Sequence, residues 1–89
     1  MNQLRIMERV LPAVGEVAIE LPAGSRVLDV YVNGREVILV LLVAAGAPTA
    51  VHRFVVAERG DQICSSDRHL ASLYAAGRRL HIFERSNAP

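Results

Sequence analysis

The sequence holds a single cysteine, Cys64, so no disulfide can form within the chain. That excludes a stapled secreted scaffold, and nothing in it requires an oxidising compartment. Tryptophan is absent and aromatics make up only 4%, so a core has to be assembled from Val, Leu, Ile and Ala. Lysine is absent too: all ten basic residues are Arg, and against nine acidic ones they leave a net charge of +1, too little to attract nucleic acid or acidic lipid in bulk. Arg without Lys, beside an excess of Ala and Val, reads as genome composition rather than as selection for bidentate anion contacts. The longest apolar run, Val37 to Ala45, falls far short of the ~18 to 20 residues a spanning helix needs. The opening MNQLRIMERV has no basic segment followed by an apolar stretch, and it does not read as a signal peptide. A cytoplasmic location, with no membrane partner, is the expectation.

What is present is apolar and short. Hydrophobic residues make up 52% of 89, enough for one domain with one modest core and too few for separate substrate and cofactor domains. The expected organisation is a single β-rich domain over 1–85 with a frayed tail at 86–89. Small aliphatic side chains bury little area each, so a second copy of the chain is expected to supply burial, and a homo-oligomer follows.

Turn signals recur every 8 to 12 residues or so: Pro12 with Gly15, Pro22-Ala23-Gly24-Ser25, Asn33-Gly34, Gly46-Ala47-Pro48, Arg59-Gly60-Asp61 and Ala76-Gly77. Between them, EVAIEL at 16–21 alternates strictly, with Val17, Ile19 and Leu21 on one face. RVLDVYV at 26–32 meets Asn33-Gly34, which predicts a type I′ hairpin into 35–45. AVHRFVVAE at 50–58 supplies another strand, and a four-strand meander from 16 to 58 is the simplest connection. Val37 to Val43 is apolar on both faces, so both should be buried, by a second sheet, a helix or a partner protomer. The fold class is therefore all-β, or β-rich α+β: a small antiparallel meander or sandwich of about six or seven strands.

One segment is ambiguous. In SSDRHLASLYAAG at 65–77, Ser66 can cap a helix, Leu70, Leu73 and Tyr74 fall at i, i+3, i+4, and Gly77 can stop it, which gives a short helix at 66–76. The same residues, His69 to Tyr74, also run as a strand into an Ala-Gly turn and pair with RLHIFE at 79–84.

The order IELPAGSRVLDVYVNGREVILVLLV, APTAVHRFVV, LASLYAAGRRLHIFE resembles a family of small proteins of unknown function encoded by bacteriophages and prophages. The resemblance lies in Leu21-Pro22-Ala23-Gly24, the Asn33-Gly34 hairpin, Phe54-Val55-Val56 and His81-Ile82-Phe83-Glu84, and it runs over nearly the whole chain. A Trp common in that family's central strand and a "GTGH" stretch after its Phe strand are replaced here by Leu41-Leu42 and Ala57-Glu58-Arg59-Gly60, so no role of those features transfers. The resemblance implies that 69–75 is a strand. It implies no activity.

Chemical signatures are weak. Cys64, Asp67 and His69 form C-x2-D-x-H, which matches no zinc pattern, and His52 and His81 lie on strands, so no metal site is assigned. Ser65, Ser66 and Asp67 near His69 lack a nucleophile elbow and read as turn-formers. Arg59-Gly60-Asp61 reads as a β-turn. No catalytic residue, cofactor or metal is expected. The surplus of apolar surface points instead to a non-enzymatic phage or prophage accessory protein acting through protein–protein contact with itself or a host protein, inhibition of a host factor or defence system being the narrower form. Leu39, Leu41 and Val43 are its candidate contact residues, with Arg53, Arg78, Arg79 and Arg85. The alternative is a nucleic-acid-binding module using those four arginines, which the charge balance and the lack of interleaved aromatics disfavour.

Overall fold

Alternating and β-branched stretches between the turn signals become seven strands in a computed structural model that describes residues 3–86. They are β1 (Leu4–Leu11), β2 (Gly15–Pro22), β3 (Arg26–Asn33), β4 (Glu36–Ala44), β5 (Thr49–Ala57), β6 (Arg68–Ala75) and β7 (Arg78–Arg85). Every pairing is antiparallel, and no helix occurs among the described residues. The strands form two sheets, β1-β4-β3 and β2-β5-β7-β6, stacked as a sandwich. The fold is all-β. The expected tail at 86–89 lies, apart from Ser86, outside the described residues.

The core lies between the sheets. Val37, Leu39, Leu41 and Val43 of β4 meet Phe54 and Val56 of β5, Leu80 and Ile82 of β7, and Leu21 of β2. With no Trp to fill the gap, Phe54 is the largest wholly buried side chain, ringed by Leu, Ile and Val. Burial of such side chains contributes about 1.5–3 kcal/mol each. The slab is thin: the Cα extents are 44 × 34 × 15 Å.

Three expectations need correction. The four-strand meander over 16–58 does not form, because β2 pairs with β5 while β3 pairs with β4. The Pro22–Ser25 turn carries the chain from one sheet to the other, closed by Ser25 N–H and hydroxyl bonds to the Pro22 carbonyl at 3.1 and 2.5 Å. A hairpin turn and a sheet-crossing turn look alike locally, which is why the alternation on either side suggested direct pairing.

The helix alternative at 66–76 also fails. Residues 68–75 pair along β7, and a bulge between His69 and Ala71 resets the alternation so that Leu70 and Leu73 both pack on the core, while Tyr74 is exposed. The hairpin closes through Ala76 and Gly77, both at positive φ (53° and 77°), the arrangement of a type I′ turn.

The β3–β4 hairpin exists but turns one residue later than Asn-Gly predicts. Asn33 pairs with Glu36, leaving Gly34 and Arg35 as the loop. Gly34 has φ 63° and Arg35 is not at positive φ, so the turn is of type II′, in which glycine takes the first central place.

Of the apolar run, Val37, Leu39, Leu41 and Val43 are buried by the second sheet of the same chain. Ile38 is buried too, on the outer face, whereas Val40 and Leu42 beside it are only half-buried. The expectation that both faces are covered therefore holds for one face and part of the other.

Candidate functional site

Leu39, Leu41 and Val43 sit in the intrachain core, at 0%, 1% and 3% exposure, and present no surface to a partner. The apolar surface lies on the opposite face of sheet β1-β4-β3. Because side chains alternate, the residues paired with Ile38, Val40 and Leu42 share that outer face: Val10, Glu8 and Ile6 on β1, and Tyr31, Asp29 and Arg26 on β3. Leu4 (62%), Ile6 (65%) and Val10 (55%) are the most exposed aliphatic residues of this face. Tyr31 reaches across β4 and donates its hydroxyl hydrogen bond to the Glu8 carboxylate, 3.0 and 3.1 Å from its two oxygens. The Glu8 carboxylate holds the Tyr31 phenol above its ordinary pKa, with smaller contributions from desolvation and charge repulsion.

The four arginines do not gather. Arg53 and Arg85 are cross-strand partners on β5 and β7, and Glu16 of β2 bonds both, at 3.4 and 2.5 Å. Arg85 also forms a two-pronged pair with Asp67, which pushes the guanidinium pKa up and the Asp67 carboxyl below the usual carboxylate range. Arg78 lies at the other end of β7, about 23 Å along the strand. There it grips Glu58, whose hydrogen bonds raise its pKa, and Arg79 stacks over the Tyr74 ring at 5.5 Å. Three of the four are thus engaged by carboxylates, at two separate ends.

Two turns in the β5–β6 connection share one construction. Asp61 donates its N–H to the Glu58 carbonyl and accepts the Glu58 N–H on its side chain; Asp67 does the same with Cys64. Arg59-Gly60-Asp61 and Cys64 to Asp67 are therefore self-capped turns, the role such Asp residues take in loops. Cys64 is exposed and free.

Sequence reasoning missed Ser72. Its hydroxyl sits 2.8 Å from His69 Nε2 and 2.7 Å from His81 Nδ1, on the outer face of β6 and β7, with His69 packed edge-on to Phe83 at 5.4 Å. Residues 69 and 72 would face opposite sides of a regular strand. The bulge brings them to one side, and no residue type in the sequence marks it. A hydroxyl has one proton to give and two lone pairs, so this trio can pass a proton between the imidazoles. Among the described residues, no group of three or more His, Cys, Asp or Glu is placed to hold a metal ion.

Two concavities mark the sandwich ends. One, about 330 Å³, is lined by His52, Ser66, Arg68, Glu84, Arg85 and Ser86. Its charges pair internally, Arg68 with Glu84 and Arg85 with Asp67, and His52 Nε2 is buried without a hydrogen-bond partner. The other, about 230 Å³, has an apolar floor of Leu11, Val37, Ala75 and Leu80, with Arg35 among its lining residues.

The architecture is that of a small two-sheet antiparallel β-sandwich. Compared with known proteins, the chain matches no family model, no curated protein and no solved structure. No helix among the described residues is long and apolar enough to cross a membrane.

Proposed function

We propose that this protein is a non-enzymatic accessory protein of a phage or prophage that acts in the host cytoplasm through protein–protein contact, with the outer face of sheet β1-β4-β3 as its contact surface. The phage assignment rests on the sequence resemblance. The observation that carries the contact reading is the exposure of Leu4, Ile6 and Val10 together on one sheet face, where single scattered apolar residues would mean nothing. Inhibition of a host factor or defence system is the narrower form of this proposal.

A second copy of the chain is one candidate for the covering partner. The second sheet of the same chain covers Leu39, Leu41 and Val43, so the support for any partner comes from the outer face. The test is capture from the host with wild-type protein and an Ile6→Asp variant as paired baits, alongside the mass of each in solution. Ile6 is exposed, so the variant keeps its fold by circular dichroism. Retention of a host protein, or self-association, by the wild type alone supports the reading. Identical behaviour of the two baits overturns it.

A further inference from the structure

The sandwich has four edge strands, β1 and β3 in one sheet, β2 and β6 in the other. Exposed edges template further pairing, and folded proteins blunt them with bulges, proline and charge. β3 carries a bulge between Val27 and Asp29, and β6 one between His69 and Ala71. β2 ends on Pro22 and places Glu16 and Glu20 on its outer face. β1 has neither bulge nor proline: it pairs with β4 in unbroken register over eight residues, and charge is its one such device, in Arg5, Glu8 and Arg9. All but Met7 and Leu11 of its residues are exposed.

Its free backbone groups can be assigned. The Ala45 N–H bonds the Gln3 carbonyl, so the odd-numbered residues of β1 exchange hydrogen bonds with β4. The N–H and C=O groups of Leu4, Ile6, Glu8 and Val10 therefore point away, to the open edge. One of these carbonyls, that of Glu8, is held by Arg9 Nη1 at 3.1 Å, a long side chain folded back over the edge. On β1 the two faces differ in character: Leu4, Ile6 and Val10 lie outward, Arg5 and Arg9 on the side of the second sheet, and neither arginine is in an ion pair among the described residues.

These charges discriminate between occupants. A two-fold β1–β1 pairing that sets Leu4 opposite Val10 of the copy sets Arg5 opposite Arg9 and Ile6 opposite Glu8; moving the register by two one way places Glu8 opposite Glu8, and the other way sets Ile6 opposite Ile6 with Arg5 and Arg9 opposite Met7 and Gln3. Like charges directly opposite destabilise a pair of strands. In none of these registers does Arg5 or Arg9 meet a carboxylate, so the edge suits an acidic complement better than a second copy of itself.

Building on the contact reading above, we infer that β1 is a docking edge for an extended acidic segment of a partner protein, which adds a strand to sheet β1-β4-β3. The segment carries apolar side chains at alternate positions against Leu4, Ile6 and Val10, and Asp or Glu at the intervening positions against Arg5 and Arg9. Main-chain hydrogen bonds to residues 4, 6, 8 and 10 supply affinity and the alternating side chains supply selectivity, as in other strand-addition complexes. Docking draws Arg9 off the Glu8 carbonyl onto a carboxylate of the ligand, a charge-assisted bond in place of a neutral acceptor.

The probes are two end-blocked octapeptides, one alternating Val and Glu, the other Val and Lys, added to the isotope-labelled full chain. The Val/Glu peptide is expected to bind about ten-fold tighter than the Val/Lys peptide. It should also slow hydrogen exchange at the amides of Leu4, Ile6, Glu8 and Val10, and the Arg5→Glu, Arg9→Glu double variant should reverse the preference. Equal binding of the two peptides, no binding of either, or protection at β2, β3 or β6 instead overturns the inference. Failure here with Ile6→Asp still abolishing capture would leave a contact face without strand addition; capture indifferent to Ile6→Asp removes the contact reading itself.

Discussion

Arg85 closes on Asp67 through two parallel hydrogen bonds, Nε to Oδ1 at 3.0 Å and Nη2 to Oδ2 at 2.8 Å, tying the end of β7 to the loop that enters β6. The Asp67 side chain has no exposed surface, because Arg85 and its own turn cover it. Removing it leaves the Arg85 Nε and Nη2 groups and the Cys64 N–H without their acceptor, with Arg85 still held by Glu16, so Asp67→Ala is expected to cost about 2 kcal/mol in urea unfolding at neutral pH.

The same pair makes stability depend on acid. Asp67 titrates below its ordinary value of 3.8 in the folded chain, chiefly because Arg85 hydrogen-bonds the carboxylate. Its contribution is therefore complete above the unfolded-state value and is lost as pH falls through the lower folded-state one. Asp67→Asn removes that dependence. The gap in unfolding free energy between wild type and Asp67→Asn should hold constant from neutral pH down to about 4 and narrow below it. A gap that persists unchanged at lower pH would show that Asp67 acts through its shape alone.

Much of the strand content was readable because burial imposes a period of two. Val17, Ile19 and Leu21 point one way, and the structure sets them against the core as the alternation requires. The apolar run in β4 announced a strand buried on both faces, and the structure buries one face fully and the other only in part. Which strands are neighbours was not readable, since β2–β5 pairing joins residues from Pro22 with Thr49 to Gly15 with Val56, far apart in sequence, and depends on a turn at Pro22–Ser25 that looks like any other. That the expected contact residues Leu39, Leu41 and Val43 lie in the core was hidden for a related reason. Alternation separates Leu39 and Leu41 from Ile38, Val40 and Leu42 but does not say which set meets the second sheet. Ser72 stayed hidden because the bulge beside His69 is a backbone event.

Two aspartate substitutions separate core from surface. Leu39 is fully buried between the sheets, so Leu39→Asp places a carboxylate where neither water nor a partner reaches it, a loss of about 5 kcal/mol, comparable with the whole stability of a small domain. Circular dichroism and urea titration should find it unfolded. Ile6→Asp, on the exposed face of β1, should stay folded with its midpoint nearly unchanged. Unfolding by both would mean that the outer face contributes to stability through cover the single chain does not provide.

Ala76 occupies the first central position of a type I′ turn at φ 53°, a region where a Cβ costs about 1 kcal/mol and asparagine is better tolerated. Ala76→Asn should therefore raise the unfolding free energy by about 0.5–1 kcal/mol without changing the denaturant slope. Gly77→Ala should lower it by a similar amount, because the second position is also left-handed, at φ 77°. If Ala76→Asn is neutral while Gly77→Ala destabilises, the strain at Ala76 is absorbed by the neighbouring strands.

The Tyr31 bond to Glu8 spans three strands and shields Ile38, which accounts for the burial of that side chain on an otherwise open face. The carboxylate accepts the phenolic proton, so removing that proton breaks the hydrogen bond and sets two negative charges together; Tyr31 accordingly ionises above 10.0. In a Tyr74→Phe background, where Tyr31 is the sole tyrosine, absorbance at alkaline pH should follow this one group. Glu8→Gln should bring its midpoint down toward the ordinary value, because an amide offers a weaker acceptor and no charge. An unchanged midpoint would place the two side chains apart in solution. The outer face above Ile38 would then be more open than the hydrogen bond implies, enlarging the apolar surface beside β1.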